Sequence, residues 1–154
     1  MCTSSLLFLK VRSALDNAGV ETEIVYGSQT IHSVDDASEA VGVAPEQILK
    51  SLLLLADSRP VLALLSGPNR IDLKKVKRIL ECKKVKMADP DYIYSFSGFR
   101  VGGVPPIGYP EQVPALLDED LYNHDQVWAA AGCDTAFFPV DPEELKRAVG
   151  GEKA

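Results

Sequence analysis

Two runs of uninterrupted apolar residues stand near the middle of the chain, SLLLLA at residues 51–56 and VLALLSG at residues 61–67. Strands with one solvated face alternate apolar and polar side chains, whereas strands covered on both faces are apolar throughout. We therefore predict two central strands that are buried on both faces. The four residues between the runs, DSRP, are few enough to join the strands as an antiparallel pair.

Apolar residues at helical spacing, together with capping residues, predict several short helices. Ser33, Asp72 and Asp89 suit N-caps, Pro90 suits a first helical position, and Gly42 and Gly98 suit helix ends. The predicted helices cover residues 6–18, 33–42, 45–49, 72–81, 89–98 and 141–151.

Further strands are predicted at residues 21–27, 83–88, 112–121, 126–132 and 135–140. Strands and short helices mix here without the regular alternation of a doubly wound fold. We therefore expect an α/β fold in which a mixed parallel and antiparallel sheet forms a barrel-like core wrapped by short helices. No repeat or long linker divides the chain, so we expect one domain over residues 1–154.

Length and composition narrow the functional class. No apolar run in the 154 residues approaches the roughly 18 that a membrane span needs. The apolar stretch near the N-terminus has no basic residue before it and continues as a helical pattern, so we interpret it as a first helix rather than a signal peptide. The three cysteines form no C-x-x-C, which favours a cytoplasmic protein without disulfides.

Charge is unevenly distributed. The net charge is −6, yet residues 70–86 hold eight of the sixteen Lys and Arg residues. A local positive patch on an acidic protein can steer a polyanion to its surface. The alternative is a solvated helix face with exposed lysines.

The usual catalytic constellations are not apparent. His32 and His124 are close to no recognisable nucleophile motif, and we interpret both as surface or loop residues. Cys82 lies in a basic stretch that could lower its thiol pKa, although an inert thiol is the simpler interpretation. The DED at residues 118–120 could supply paired carboxylates or be a solvated turn. No familiar ligand spacing predicts a metal or another cofactor.

Lys50 directly precedes the first apolar run. A lysine stem can lie along apolar surface and place its ammonium at the rim of a core. There the ammonium could hold a phosphate or a developing oxyanion. A strand-edge lysine that points to water is the alternative.

The stretch VGGVPPIG, residues 101–108, combines three glycines and two prolines without a charge. Gly102 and Gly103 lack a β-carbon, so a ligand can approach their backbone amides. Pro105 and Pro106 restrict the segment that follows, and Val104 is held extended because it precedes a proline. Such a loop can present backbone donors to a carbonyl or an oxyanion, or it can be an ordinary turn.

Five segments in this order resemble the YbaK/ProX family of aminoacyl-tRNA deacylases, which is related to the editing domain of bacterial prolyl-tRNA synthetases. The resemblance runs from about Thr22 to Leu145. The segments are DDASEAVGV, QILKSLLL, VLALLSGPNRIDLKKV, KKVKMADPD and SGFRVGGVPPIG.

The resemblance implies a mixed α/β barrel-like fold and hydrolysis of the ester bond of a mischarged aminoacyl-tRNA. It places Lys50 near the terminal nucleotide and the backbone of Gly102 and Gly103 at the aminoacyl group, with the 2′-hydroxyl of the tRNA assisting. The resemblance also implies a set of substrate-binding residues. They are Tyr26, Ser28, Thr30, Ser51, Val104, Pro105, Pro106, Ala130 and Gly132.

The sequence departs from the family pattern late in the chain. Relatives that remove alanine carry a histidine there, and relatives that remove cysteine carry a serine and two glycines. Here Ala130, Ala131 and Gly132 occupy that place. Pro105 also stands where serine is common, and Ile107 where phenylalanine is common. These differences leave the amino acid open.

We therefore expect a free-standing editing hydrolase that acts on misacylated tRNA, with alanine or cysteine on tRNA for proline as natural candidates and prolyl-tRNA synthetase as a possible partner. The tRNA phosphates would be contacted by Lys74, Lys75, Lys77, Arg78, Lys83 and Lys84. A non-catalytic tRNA- or synthetase-binding module of the same fold, and a hydrolase that uses Cys82 or Cys133, are the alternatives.

Overall fold

The computed structural model describes residues 5–26, 31, 33–100, 103–133 and 135–154. The helices are α1 (Ser5–Asn17), α2 (Val34–Val41), α3 (Leu73–Leu80), α4 (Pro90–Ser97) and α5 (Pro142–Val149). The strands are β1 (Val25–Tyr26), β2 (Leu49–Ala56), β3 (Arg59–Ser66), β4 (Val85–Met87), β5 (Ala115–Leu117), β6 (Val127–Ala130), β7 (Ala136–Val140) and β8 (Glu152–Lys153). Two 3-10 helices cover Pro45–Gln47 and Glu119–Asn123.

The two central strands pair as the sequence predicts. β2 and β3 are antiparallel over their whole length, with Ser51 opposite Leu64. Successive residues of β2 enter different apolar clusters, since Leu53 packs in the main core and Leu54 in the cluster under α3. Both side chains are at most 1% exposed, so this part of the strand is buried on both faces, whereas residues 50–52 and Leu55 are only partly buried.

The strands form two sheets of mixed direction. The larger sheet has the order β4-β2-β3-β5-β8 and the smaller one has the order β1-β7-β6. β5 runs parallel to β3 and to β8, whereas the other pairs are antiparallel. A bridge between Ile48 and Trp128 joins the sheets, and both sheets contribute side chains to the main core. The mixed α/β fold class that the sequence predicts is confirmed.

The capped helices also form where they are predicted. Asp72 accepts hydrogen bonds from the amides of Lys74 and Lys75 at the start of α3. Gly42 and Gly98 end α2 and α4 in the left-handed conformation that glycine tolerates best. The residues that stop α2 and α4 are therefore visible in the sequence, whereas α3 has its C-cap at Glu81, which no sequence signal marks.

The strand predicted at residues 21–27 is wrong for residues 21–24, because only Val25 and Tyr26 pair with β7. The carbonyl of Pro139 faces the preceding segment and accepts a hydrogen bond from the Thr22 hydroxyl at 2.6 Å. Because proline has no N–H, the ladder cannot continue past it.

The helix predicted at residues 45–49 is replaced by the 3-10 helix Pro45–Gln47 and an extended Ile48. The Ile48 carbonyl accepts a hydrogen bond from the Gly67 amide at 2.8 Å. Because Ile48 already bonds to the segment after β3, the apolar residues that follow Gln47 extend the β2–β3 pair instead of continuing the helix. Lys50 consequently lies inside β2 rather than at its start.

The strand predicted at residues 112–121 is shortened to β5, since Asp118 caps the 3-10 helix Glu119–Asn123. β8 was not predicted from the sequence, because its two polar residues become a strand only by pairing with β5. No helix within the described ranges is long and apolar enough to cross a membrane.

Candidate functional site

A cavity of about 620 Å³ lies beside the first half of β2. β4 pairs only with Leu54–Ala56 of β2, so the earlier residues have no described strand partner on that side. The cavity takes in six consecutive residues, from Ile48 to Leu53, together with Met87 at the end of β4. This is the Lys50 cavity. Its other lining residues are Ile31, Ser33, Val34, Ala37, Ile93, Val104, Ala130 and Phe137.

Lys50 is the charged residue in the described lining of this cavity. Its ammonium donates a hydrogen bond to the backbone carbonyl of Asn69 at 2.5 Å. Partial burial, and then the Arg70 guanidinium, lower the pKa of Lys50, whereas the Asp118 carboxylate opposes that change. The side chain is neither fully solvated nor enclosed, as expected for a lysine at the rim of a core.

Ser51 lines the same cavity. Its hydroxyl oxygen is buried and has no hydrogen-bond partner among the described residues. Buried polar atoms nearly always have a partner, so an orphaned hydroxyl beside a cavity marks a place for a polar ligand atom or a water. The structure therefore brings Lys50, Ser51, Val104 and Ala130 from the expected set to one cavity.

Gly103 has a different structural role from the one the sequence suggests. A β-carbon at this position would lie 2.5 Å from the Cα atom of Cys133, so the glycine lets two backbone segments touch. The Gly103 amide donates to the Arg100 carbonyl at 3.0 Å and is already engaged. The amide of Val104, by contrast, has no hydrogen-bond partner among the described residues.

The two prolines of the loop are buried away from the described lining of the Lys50 cavity. The Pro105 carbonyl accepts a hydrogen bond from the Tyr109 hydroxyl at 2.7 Å. Pro106 lines a separate hollow beside α1. Both prolines therefore brace the loop that carries Val104.

The remaining expected substrate-binding residues are not gathered at the cavity. Tyr26 is 55% exposed on β1, and neither it nor Gly132 belongs to the described lining. Ser28, Thr30 and Gly102 lie outside the described residues.

The basic segment is a solvated surface on and after α3. Val76 anchors α3 to the larger sheet through Leu54, Ala63 and Leu116. The six side chains expected to contact tRNA are exposed: Lys74, Lys75, Lys77, Arg78, Lys83 and Lys84.

Asn69, near Lys50, is a functional candidate that the sequence did not indicate, whereas Asp118 and Asp120 were considered there as paired carboxylates. Asn69 follows a Gly-Pro turn, and its side-chain amide donates to the carboxylates of Asp118 and Asp120 at 2.6 and 2.7 Å. Both acids belong to the DED segment, whose position after a buried strand was the only signal in the sequence.

Other reactive side chains form no catalytic pair among the described residues. The Cys133 sulfur lies 3.8 Å from the Thr135 hydroxyl, and the Cys82 sulfur lies 4.0 Å from a backbone carbonyl. A second depression of about 720 Å³ contains Glu21, Asp141 and Glu144. Its acidic lining would repel a polyanion, so the Lys50 cavity is the better candidate site.

The family model described as "Aminoacyl-tRNA editing domain" matches residues 28–148. A proline–tRNA ligase of Levilactobacillus brevis is 30% identical over 128 residues, which are 83% of this chain and 22% of the ligase. The chain thus spans about a fifth of the length of that relative.

Two further relatives match over most of their own length. An Enterococcus faecalis protein named "Putative Cys-tRNA(Pro)/Cys-tRNA(Cys) deacylase EbsC" is 28% identical, and the match covers 79% of this chain and 75% of that protein. A structure described as "Crystal structure of a putative trans-editing enzyme for prolyl tRNA synthetase" has a TM-score of 0.92 and 35% identity, covering 99% and 97% of the two chains.

The family match spans the Lys50 cavity and the loop that carries Val104, as well as most of both sheets. The resemblance noted in the five sequence segments and the likeness of the whole fold lead to the same group of proteins. The chain belongs to the aminoacyl-tRNA editing domain family.

Proposed function

We propose that this chain hydrolyses the ester bond of misacylated tRNA. The observation that carries the proposal is a largely apolar cavity with an ammonium at its rim and an orphaned hydroxyl in its wall, within an editing-domain fold. A small aminoacyl group fits such a cavity, and the terminal phosphate of an RNA fits the ammonium.

In the proposed reaction, water attacks the ester carbonyl and the bond to the ribose oxygen breaks. The ribose oxygen takes up a proton, and the products are a free amino acid and a tRNA with a free terminal hydroxyl. The amide of Val104, which has no hydrogen-bond partner in the part of the chain that the structure describes, donates to the carbonyl oxygen as negative charge develops there. We also propose the backbone of Gly102 as a donor, as the family resemblance implies, and the neighbouring 2′-hydroxyl of the tRNA as the group that orients the water.

The proposed substrate carries alanine or cysteine on tRNA for proline. A synthetase rejects a slightly smaller side chain poorly, since one methylene is worth only about 1–3 kcal/mol in a binding pocket. A second site that hydrolyses small products corrects this error. The name of the Enterococcus relative, "Putative Cys-tRNA(Pro)/Cys-tRNA(Cys) deacylase EbsC", refers to cysteine on tRNA for proline and on tRNA for cysteine. The matched crystal structure is described as "a putative trans-editing enzyme for prolyl tRNA synthetase". We accordingly propose action in trans.

The test is a panel of tRNA for proline charged with alanine, cysteine, serine or proline. We expect rapid deacylation of at least one of the alanine and cysteine esters and no acceleration for the proline ester. Cys82→Ser and Cys133→Ser should retain the wild-type rate, because neither sulfur has a catalytic partner in the described structure. Tight binding of every charged tRNA without turnover would instead identify a non-catalytic module.

A further inference from the structure

Lys50 is connected to two carboxylates through one residue, Asn69. The Lys50 ammonium donates to the Asn69 backbone carbonyl at 2.5 Å. The Asn69 side-chain amide in turn donates to Asp118 at 2.6 Å and to Asp120 at 2.7 Å. The residue whose carbonyl accepts from the ammonium is therefore also held through its side chain, by Asp118, which accepts further backbone hydrogen bonds, and by the exposed Asp120.

The turn that carries Asn69 is itself tied to its surroundings. The Ser66 amide donates to the Asp118 carboxylate at 3.1 Å, and the Ser66 hydroxyl donates to the Glu46 carbonyl at 2.8 Å. A β-carbon on Gly67 would lie 2.7 Å from the Pro45 carbonyl oxygen, so the backbone at Gly67 packs directly against the backbone at Pro45. A turn held in this way presents its carbonyl at one position.

Charges of both signs surround the ammonium. Arg70 lies next to Asn69 and disfavours the protonated lysine, whereas Asp118 favours it. Asp72, Lys75 and Asp120 belong to the neighbouring hollow of about 370 Å³ that Asn69, Arg70 and Asp118 also line. On the cavity side, the other described lining residues are uncharged.

We propose that Asn69 and Asp118 are positioning residues that hold the Lys50 ammonium at the rim of the cavity. A free lysine side chain samples many rotamers, and ordering it as charge develops in the transition state raises the barrier to hydrolysis. The carbonyl of Asn69 fixes the ammonium before substrate arrives, and Asp118 keeps both that carbonyl and the charge in place. The expected effect on deacylation rests on the proposed function, whereas the expected effect on the pKa of Lys50 does not.

The electrostatic test is an NMR titration of the Lys50 Cε and Nζ signals, with Lys50→Arg used to assign them. We expect Asp118→Asn to lower the pKa of Lys50 further and Arg70→Gln to raise it, because the two charges act with opposite sign. Arg147→Gln, an exposed change on α5, should leave this pKa where it is.

A purely structural role for Asp118 gives a different result. If Asp118→Asn only loosened the turn, Lys50 would become more solvated and its pKa would rise towards its ordinary value. A rise in Asp118→Asn, or no change in either variant, overturns the proposal.

The kinetic test uses Asn69→Ala, with Asn123→Ala as the matched change at an exposed asparagine. We expect kcat for the best charged tRNA to fall about tenfold in Asn69→Ala with KM unchanged, because the alanine keeps the backbone carbonyl but loses the side-chain hydrogen bonds to Asp118 and Asp120 that hold it under the ammonium. Asn123→Ala should keep the wild-type kcat. Equal kcat values in both variants would contradict the positioning role. A wild-type protein that cleaves none of the charged tRNAs would refute the proposed function, and the titration would still decide the positioning.

Discussion

At this site, the properties that matter for function come from each residue's surroundings more than from its residue type. Lys50 owes its lowered pKa to burial and to Arg70, and its fixed position to a backbone carbonyl. Ser51 is an ordinary serine whose importance comes from a buried hydroxyl without a described partner. Gly103 is required because the backbone of Cys133 leaves no room for a β-carbon.

Gly103→Ala should therefore damage both stability and activity. The added methyl group collides with backbone atoms that cannot rotate away, and overpacking of this kind costs about 1–3 kcal/mol. The loop that carries Val104 must shift to relieve the collision, so deacylation should fall as well. Urea unfolding and deacylation rates measure the two effects.

Gly42→Ala is the comparison for this prediction. Gly42 has φ +73°, and an added methyl group would meet open space there, since nothing lies within 4 Å of the β-carbon position. The change should cost about 1 kcal/mol through backbone strain alone and leave deacylation at the wild-type rate. Equal activity in Gly103→Ala and Gly42→Ala would show that the tight approach to Cys133 does not matter for the site.

At the scale of elements, the β2–β3 hairpin presents the long strand on which Lys50 and Ser51 lie. Its turn residues Asp57 and Ser58 both have positive φ, +47° and +69°. Such turns match the twist of the strands, but they force non-glycine residues into the left-handed region. The Asp57 carboxylate compensates by accepting hydrogen bonds from the amides of Lys83 and Lys84 before β4.

Ser58→Gly should stabilise the hairpin. Removal of the β-carbon relieves left-handed strain that is worth about 1–2 kcal/mol, less the entropy that glycine gains in the unfolded chain. We expect a net increase in the free energy of unfolding, measured by urea denaturation. Ser58→Ala retains the β-carbon and should give no increase; a gain of the same size in Ser58→Ala would refute the strain argument.

Asp57 should make the free energy of unfolding depend on pH in the acidic range. Backbone hydrogen bonds from Lys83, and then from Lys84, lower the pKa of Asp57 below its ordinary value of 3.8. The contribution of a carboxylate with a lowered pKa is present above that ordinary value and is lost as the pH falls through the folded-state pKa. The stability difference between wild type and Asp57→Asn should thus shrink between neutral and strongly acidic pH in thermal unfolding. A difference that stays constant would contradict the assignment.

An element can be predicted from the sequence when the residues that cause it to form lie within the element itself. β2, β3 and the capped helices form from local apolar runs and local caps, so the sequence shows them directly. The lengths of β1 and β5, and the existence of β8, depend on distant partners such as Pro139 and Leu117. The same holds at the site. Lys50 can be recognised in the sequence from its place before an apolar run, whereas the hydrogen bond that ties Asn69 to Asp118 joins residues 49 positions apart.

The whole molecule combines a net charge of −6 with one strongly basic segment. The exposed side chains on and after α3 face solvent while Val76 holds the helix on the sheet. An acidic body with one basic surface orients an approaching polyanion towards that surface. This arrangement supports the proposal that the basic segment contacts tRNA phosphates.

Neutralisation of this surface should reduce the salt dependence of tRNA binding. For Lys74→Gln combined with Lys77→Gln, we expect the slope of log K against log salt to decrease by about 0.9 for each duplex phosphate contact that is lost. Lys146→Gln combined with Arg147→Gln removes the same charge from α5 and should leave the slope nearly unchanged. Equal slopes in the two double variants would place the tRNA elsewhere on the protein.

The central claim is that the Lys50 cavity hydrolyses a small aminoacyl ester, and a single rate comparison tests it most directly. The measurement is the initial rate of deacylation of Cys- and Ala-tRNA for proline by wild type, Lys50→Ala and Lys146→Ala. We predict that Lys50→Ala loses about 100-fold or more, the scale of removing one electrostatic contact to a developing charge, while Lys146→Ala keeps the wild-type rate. Wild-type rates in Lys50→Ala would contradict the account.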